Sequence, residues 1–109
     1  MKIAIIGSRN LYIDNFGKFL PKNVSEIVSG GARGIDFCAA RYAKEVGIKI
    51  TVFTPEYEKY GRVAPLKRNL QIINHADEAI AFWNGKSNGT KHVIETCKKQ
   101  GKKVTVYIL

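Results

Sequence analysis

Apolar residues fall into five short runs separated by stretches with helical spacing, and that alternation organises the whole chain. Lys2-Ile3-Ala4-Ile5-Ile6 is apolar enough for a strand buried on both faces, as in a parallel sheet. Asp14 to Leu20 predicts a short helix capped by Asp14, with Phe16, Phe19 and Leu20 on its apolar side and Pro21 as its stop. Ser25 to Ser29 reads as a second strand. From Gly34 to Val46, residues Ile35, Cys38, Ala39, Tyr42, Ala43 and Val46 share one helical face, and Gly47 ends the helix. Ile48 to Phe53 is rich in β-branched residues and makes a third strand.

Thr54 to Val63 is the one long irregular stretch. Its tyrosines, Tyr57 and Tyr60, suit a loop over a ligand and a plain connector equally well. Pro65 then fits a helix's first turn, with Leu66, Leu70 and Ile73 marking a face that runs to about His75. Glu78 to Trp83 is a fourth strand, and Asn84 to Thr90 a Gly/Ser/Thr loop. A last helix buries Val93, Ile94 and Cys97 and ends at Gly101, and Val104 to Ile108 is the fifth strand.

Strict alternation with short connections predicts a Rossmann-like three-layer α/β/α sandwich over residues 1–109, with a five-stranded parallel sheet. Strand order 3-2-1-4-5 is the first choice and 2-1-3-4-5 the second. The 109 residues suit one domain with one core. No apolar run is long enough for a bilayer and the N-terminus lacks the pattern of a signal peptide, so a cytoplasmic protein without a membrane partner is expected.

Charge narrows the partners. Eighteen Lys and Arg against nine Asp and Glu give a net +9, which suits nucleotides, nucleic acid or an acidic membrane surface. Lys98, Lys99, Lys102 and Lys103 surround a helix end and read as a solvated cationic face. Cys38 and Cys97 have no metal-ligand spacing and read as buried free thiols; His75 and His92 stand alone. Neither a metal nor a cofactor is expected.

In open parallel sheets ligands bind beyond the carboxyl ends of the strands, where the strand order reverses. Three loops converge there: Gly7-Ser8-Arg9, Gly30-Gly31-Ala32-Arg33-Gly34 and the Gly85-to-Thr90 loop with Ser87, Gly89 and Thr90. The glycine turn before a helix points to an anion held by backbone amides and the helix dipole, with Arg33 as an extra donor. Asp36 serves the helix dipole or, in a ligand role, a ribose hydroxyl, a base or water. Arg68, beside Asn69, lies half a turn off the apolar face and by spacing alone reads as solvated. Trp83 either stacks on a base or caps the core.

Other chemistries fail on spacing. Gly85-Lys86-Ser87 imitates the end of a Walker A loop, but Ile80 stands where its first glycine belongs. The glycine-rich turn follows the second strand and not the first, unlike a dinucleotide dehydrogenase. Neither histidine lies near a strand's carboxyl end, so no Ser/His/Asp arrangement is available.

Gly7-Ser8-Arg9, Ser29-Gly30-Gly31-Ala32-Arg33-Gly34-Ile35-Asp36, Arg68-Asn69, Ala76-Asp77, Phe82-Trp83 and Ser87-Asn88-Gly89-Thr90 together resemble the SLOG superfamily. That superfamily joins the DNA-processing protein DprA (Smf) to the LOG phosphoribohydrolases, and the resemblance is nearest to its small single-domain YspA-like members. It implies a Rossmann-like fold and a nucleotide or nucleotide-derived ligand at the strands' carboxyl ends, and it draws Arg68 and Asn69 into the site. The chain departs from the hydrolase pattern: three residues after Thr90 stands Val93, and the nearest acid, Glu95, is two residues late, a rotation of about 200° on a helix. Asp36 and Glu95 are the remaining candidates for an N-glycosidic hydrolase. A third reading is a single-stranded DNA binder using Arg33, Tyr57, Tyr60 and Trp83. A homo-oligomer is left open.

Overall fold

The computed structural model describes all of residues 1–109. Five parallel strands, β1 (Lys2–Gly7), β2 (Glu26–Ser29), β3 (Lys49–Val52), β4 (Glu78–Trp83) and β5 (Val104–Ile108), lie in the order β3-β2-β1-β4-β5. The Rossmann-like α/β fold and the first-choice strand order are both present. Order reverses between β1 and β4, where Ala4 pairs with Ala79 and Gly7 with Phe82. No helix is long and apolar enough to cross a membrane.

The alternation along β1 decides what each face packs against. Ile3 and Ile5 point to one face and join Ile27, Ile80 and Phe82 under helix α1 (Ile35–Val46), which contributes Ile35, Ala39 and Ala43. Ala4 and Ile6 point to the other and join Val28, Ala79, Ile72, Ile73, Val93 and Cys97 under helices α3 (Ala64–His75) and α4 (Asn88–Lys99). Small Ala4 and Ala79 at the centre let those two helices sit close to the sheet. Such cores favour folding by roughly 25 cal/mol for each Å² of apolar surface withdrawn from water.

Between β1 and β2 the chain departs from expectation. No α-helix runs from Asp14; only a 3-10 turn over Phe16–Phe19 forms, entered through Asn15 in the left-handed region (φ 55°) with no side-chain cap. Aromatic rings do the covering instead. Phe19 meets Phe82 and Tyr107 edge-on at 5.1 and 5.0 Å, and Phe16 lies 5.5 Å from Phe82, so β4 and β5 are shielded beside α1.

Two helical faces also differ from their sequence reading. Val46 is half exposed at the end of α1. In α3 the buried positions are Ala64, Asn69, Ile72 and Ile73, while Leu66 is exposed. The helix is turned so that Asn69 faces inward, which swings Leu66 to the surface. The stretch read as irregular holds a single α-helical turn, α2 (Tyr57–Tyr60), and a 3-10 turn at Gly61–Val63.

Lys102 does not belong to a solvated cationic face. Its ammonium donates to the carbonyls of Ile73 and, at 2.6 Å, Ala76, satisfying the open end of α3. Glu26, buried at the start of β2, accepts from the Thr51 hydroxyl and meets His75 Nε2, both at 2.7 Å, with Lys49 at 3.5 Å. This network fastens the carboxyl end of α3 to β2 and β3.

Candidate functional site

A cleft of about 430 Å³ opens beyond the carboxyl ends of β1 and β4, at the reversal of strand order. Its volume is within the usual range for small-molecule sites. Ile6, Ile72, Pro65 and Leu66 form its apolar part, and polar residues from the surrounding loops supply most of the rest.

The loop after β1 brings Gly7, Ser8 and Arg9 to the cleft. Ser8 is buried; its amide donates to Phe82 O at 3.1 Å and its hydroxyl oxygen accepts from the Asn84 amide at 3.2 Å. Arg9 is exposed, has no ion-pair partner, and extends a free guanidinium at the edge of the cleft.

The glycine turn after β2 is organised around an anion of the protein itself. Asp36 reaches back so that its Oδ2 accepts from the Ala32 amide at 3.1 Å, while the Gly31 amide donates to Ser29 Oγ at 3.3 Å. Two amides of the expected phosphate cradle are thereby occupied. Burial pushes the Asp36 carboxyl above its ordinary value, against the Ala32 amide and the charges of Arg68 and Arg9, which pull the other way. Gly30, Ala32 and Asp36 line the cleft; Gly31, Arg33 and Gly34 do not, and Arg33 is exposed.

Close packing of two loops explains glycines read as ligand-binding. Gly34 has φ +74°, and a Cβ there would lie 2.5 Å from Arg9 O and 2.6 Å from Ser8 O. Gly7 likewise leaves room for Ile35 at the start of α1. The Ser8-Arg9 loop and the start of α1 therefore rest on each other, and both glycines make that possible.

Arg68 is not solvated. It lies half-buried between α3 and the glycine turn, donating from Nη1 to Gly30 O and from Nε to Asn69 Oδ1, both at 3.0 Å. A Cβ on Gly30 would stand 2.6 Å from that Nη1, so the missing side chain is what admits the guanidinium. Desolvation lowers the Arg68 pKa and Asp36 opposes that shift. Asn69 is buried against the cleft, with its Nδ2 left without a protein partner.

The opposite wall is the start of α4. Ser87 caps the helix by accepting from the Thr90 amide at 3.4 Å, and Asn84 Oδ1 accepts from the amides of Lys86 and Ser87, both at 2.9 Å. The Asn88 and Gly89 amides remain without protein partners, and Ser87, Gly89 and Thr90 line the cleft. Trp83 stands outside it: its Nε1 donates to Ser87 O at 3.0 Å and holds the loop in shape. Glu95 is exposed on α4, 3.9 Å from Lys91, and does not reach the cleft.

Asn10, Asn84, Pro65 and Leu66 also line the cleft and went unrecognised in the sequence. Asn84 had a signal, since it directly follows β4 just as Ser8 follows the last residue of β1. Asn10 had none; its place depends on accepting from Asn84 Nδ2 at 3.2 Å, across 74 residues. No cluster of three or more His, Cys, Asp or Glu suited to a metal is present.

No family model matches the chain, and no solved structure matches it. The Gene 61 protein of Mycobacterium phage D29 is 35% identical in an 81-residue alignment that covers 69% of this chain and 65% of that protein. The chain thus spans just under two thirds of the length of this curated relative.

Proposed function

We propose that the cleft binds a nucleotide or nucleotide-derived phosphate ligand and that the chain is a SLOG-type binding module. The observation that carries the reading is one juxtaposition. The unpartnered Gly89 amide at the start of α4 and the free guanidinium of Arg9 border the same cleft as a buried carboxylate, Asp36. An anion is favoured at the helix start and disfavoured at Asp36, so a ligand with an anionic end and a hydroxyl-bearing or amino-bearing end fits both walls. The SLOG resemblance supports the reading in so far as it implies Gly7-Ser8-Arg9, Gly30, Arg68-Asn69 and Gly89-Thr90 as ligand positions, and these border the cleft whereas Arg33 and Trp83 do not.

Binding is favoured over N-glycosidic hydrolysis because Glu95 points away, which leaves Asp36 as the one carboxylate lining the cleft, with no second acid or base beside it. It is favoured over single-stranded DNA binding because the proposed stacking residues are dispersed. Tyr57 and Tyr60 follow β3 at one sheet edge, and Trp83 ends β4 on the other side of β1.

Calorimetric titration with ribonucleoside 5′-monophosphates and ribose 5-phosphate tests the reading. Binding should weaken at least tenfold in Arg9→Ala and remain within twofold in Arg33→Ala. No binding by the parent chain, or binding lost through Arg33 and not Arg9, overturns it.

A further inference from the structure

Asp36 is one of the few charged side chains inside the fold, and only half of it is used. Oδ2 takes the Ala32 amide and the Gly30 backbone also favours the carboxylate, whereas no hydrogen bond of full geometry reaches Oδ1. Oδ1 is not sealed in the interior either, because the one buried side-chain atom without a partner is His92 Nδ1. Asp36 is 8% exposed and lines the cleft, so its unused oxygen opens there.

Arg68 connects this carboxylate to a second free group. Its Nη1 is bound to Gly30 beside Asp36, and its Nε orients Asn69 so that the amide oxygen is consumed and Nδ2 is left for the cleft. Asn69 is also 8% exposed. A buried acceptor and a buried donor, fixed by one arginine, are thus presented to whatever enters. Pro65, one helical turn before Asn69, adds an apolar surface on the same wall, with Leu66 next to it.

Resting on the nucleotide-binding reading, we propose that Asp36 and Asn69 read the ribose and make the cleft selective for ribonucleotides over 2′-deoxyribonucleotides. A carboxylate accepts hydrogen bonds and, when ionised, donates none, so it suits the two adjacent hydroxyls of a ribose. Asn69 Nδ2 supplies a donor for a hydroxyl oxygen. The phosphate lies toward Arg9 and the start of α4, away from the carboxylate, and the base lies against Pro65 and Leu66. Removing one hydroxyl leaves a buried polar group unmatched, and such sites discriminate strongly against the ligand lacking the group.

The test is titration of the intact chain with the four ribonucleoside 5′-monophosphates and their 2′-deoxy counterparts. The parent should prefer the ribo form at least tenfold. In Asp36→Ala and Asp36→Asn that ratio should fall below threefold through weaker binding of the ribo form, with circular dichroism establishing that each variant folds. Asn retains an acceptor for the Ala32 amide and serves where Ala does not fold. In Arg9→Ala both forms should weaken together, leaving the ratio unchanged. Equal parent affinities for the ribo and deoxy forms, or a preference that survives both Asp36 variants, overturn the ribose assignment while leaving nucleotide binding intact. An absence of any nucleotide binding by the parent overturns both.

Discussion

The Asp36 carboxylate accepts the amide of Ala32, four residues before it, at 3.1 Å. The anion seated in the glycine turn is therefore the protein's own. A turn of this composition ordinarily suggests a vacant phosphate cradle, and here it reads as a device that holds a carboxylate at a cleft.

That carboxylate costs stability at neutral pH. Burial raises its pKa in the folded chain above the ordinary value of about 3.9. The native state then binds the proton more tightly than the unfolded state, and stability falls as pH rises through the interval between the two values. Asp36→Asn should melt above the parent at pH 7, with the gap closing on acidification as the parent's Asp36 becomes neutral. Thermal melts across pH check this, and a variant that melts lower at every pH contradicts it.

Glu26 acts with the opposite sign. Its hydrogen bond from Thr51, with help from His75 and Lys49, holds its pKa at about 2 despite burial. The stability it contributes is fully present above the unfolded-state value of about 4.3 and is lost as pH falls toward 2. Glu26→Ala should destabilise by about 2–3 kcal/mol at pH 7, since charge-assisted hydrogen bonds are lost and Thr51 is left unmatched. Urea titrations at pH 7 and pH 3 should show a smaller difference between variant and parent at the lower pH.

Gly34→Ala should be far more damaging than an exposed glycine replacement. The position combines a left-handed φ with carbonyl oxygens of Ser8 and Arg9 where the methyl group would go. A loss of about 2 kcal/mol or more is expected. Gly89→Ala is the comparison, because nothing lies within 4 Å of its missing Cβ. Equal melting temperatures for the two variants would contradict the packing of the Ser8-Arg9 loop on α1.

Lys102→Met should cost about 1–3 kcal/mol, since it removes two charge-assisted hydrogen bonds from the last carbonyls of α3. Lys103→Met should change little, because its partner Glu78 is 3.9 Å away and the lysine is largely exposed. Chemical denaturation of both variants separates a capping lysine from a solvated one.

The sheet was legible in the sequence because each strand is an apolar run and each long helix shows a one-sided stripe. Alternation then left only two plausible strand orders. The cleft's place followed from that order. Its residues were read less well, for identifiable reasons. Asn69 is polar, so a hydrophobic stripe drawn through Leu66, Leu70 and Ile73 excluded it, yet it is buried because a cleft needs polar atoms inside. Sequence spacing favours Arg33 over Arg68 because Arg33 lies within the glycine turn along the chain. In space, Arg68 approaches Gly30 across 38 residues, and neighbour spacing carries no record of that. The helix expected from Asp14 failed because aromatic rings from a 3-10 turn covered the sheet without it.

Lys102 has a mechanical consequence. It joins the segment after α4 to the end of α3 at the edge of the sheet opposite the cleft. The two helices that wall the cleft are consequently braced against each other at the ends farthest from it, so the spacing of those walls depends in part on a residue that lines neither of them.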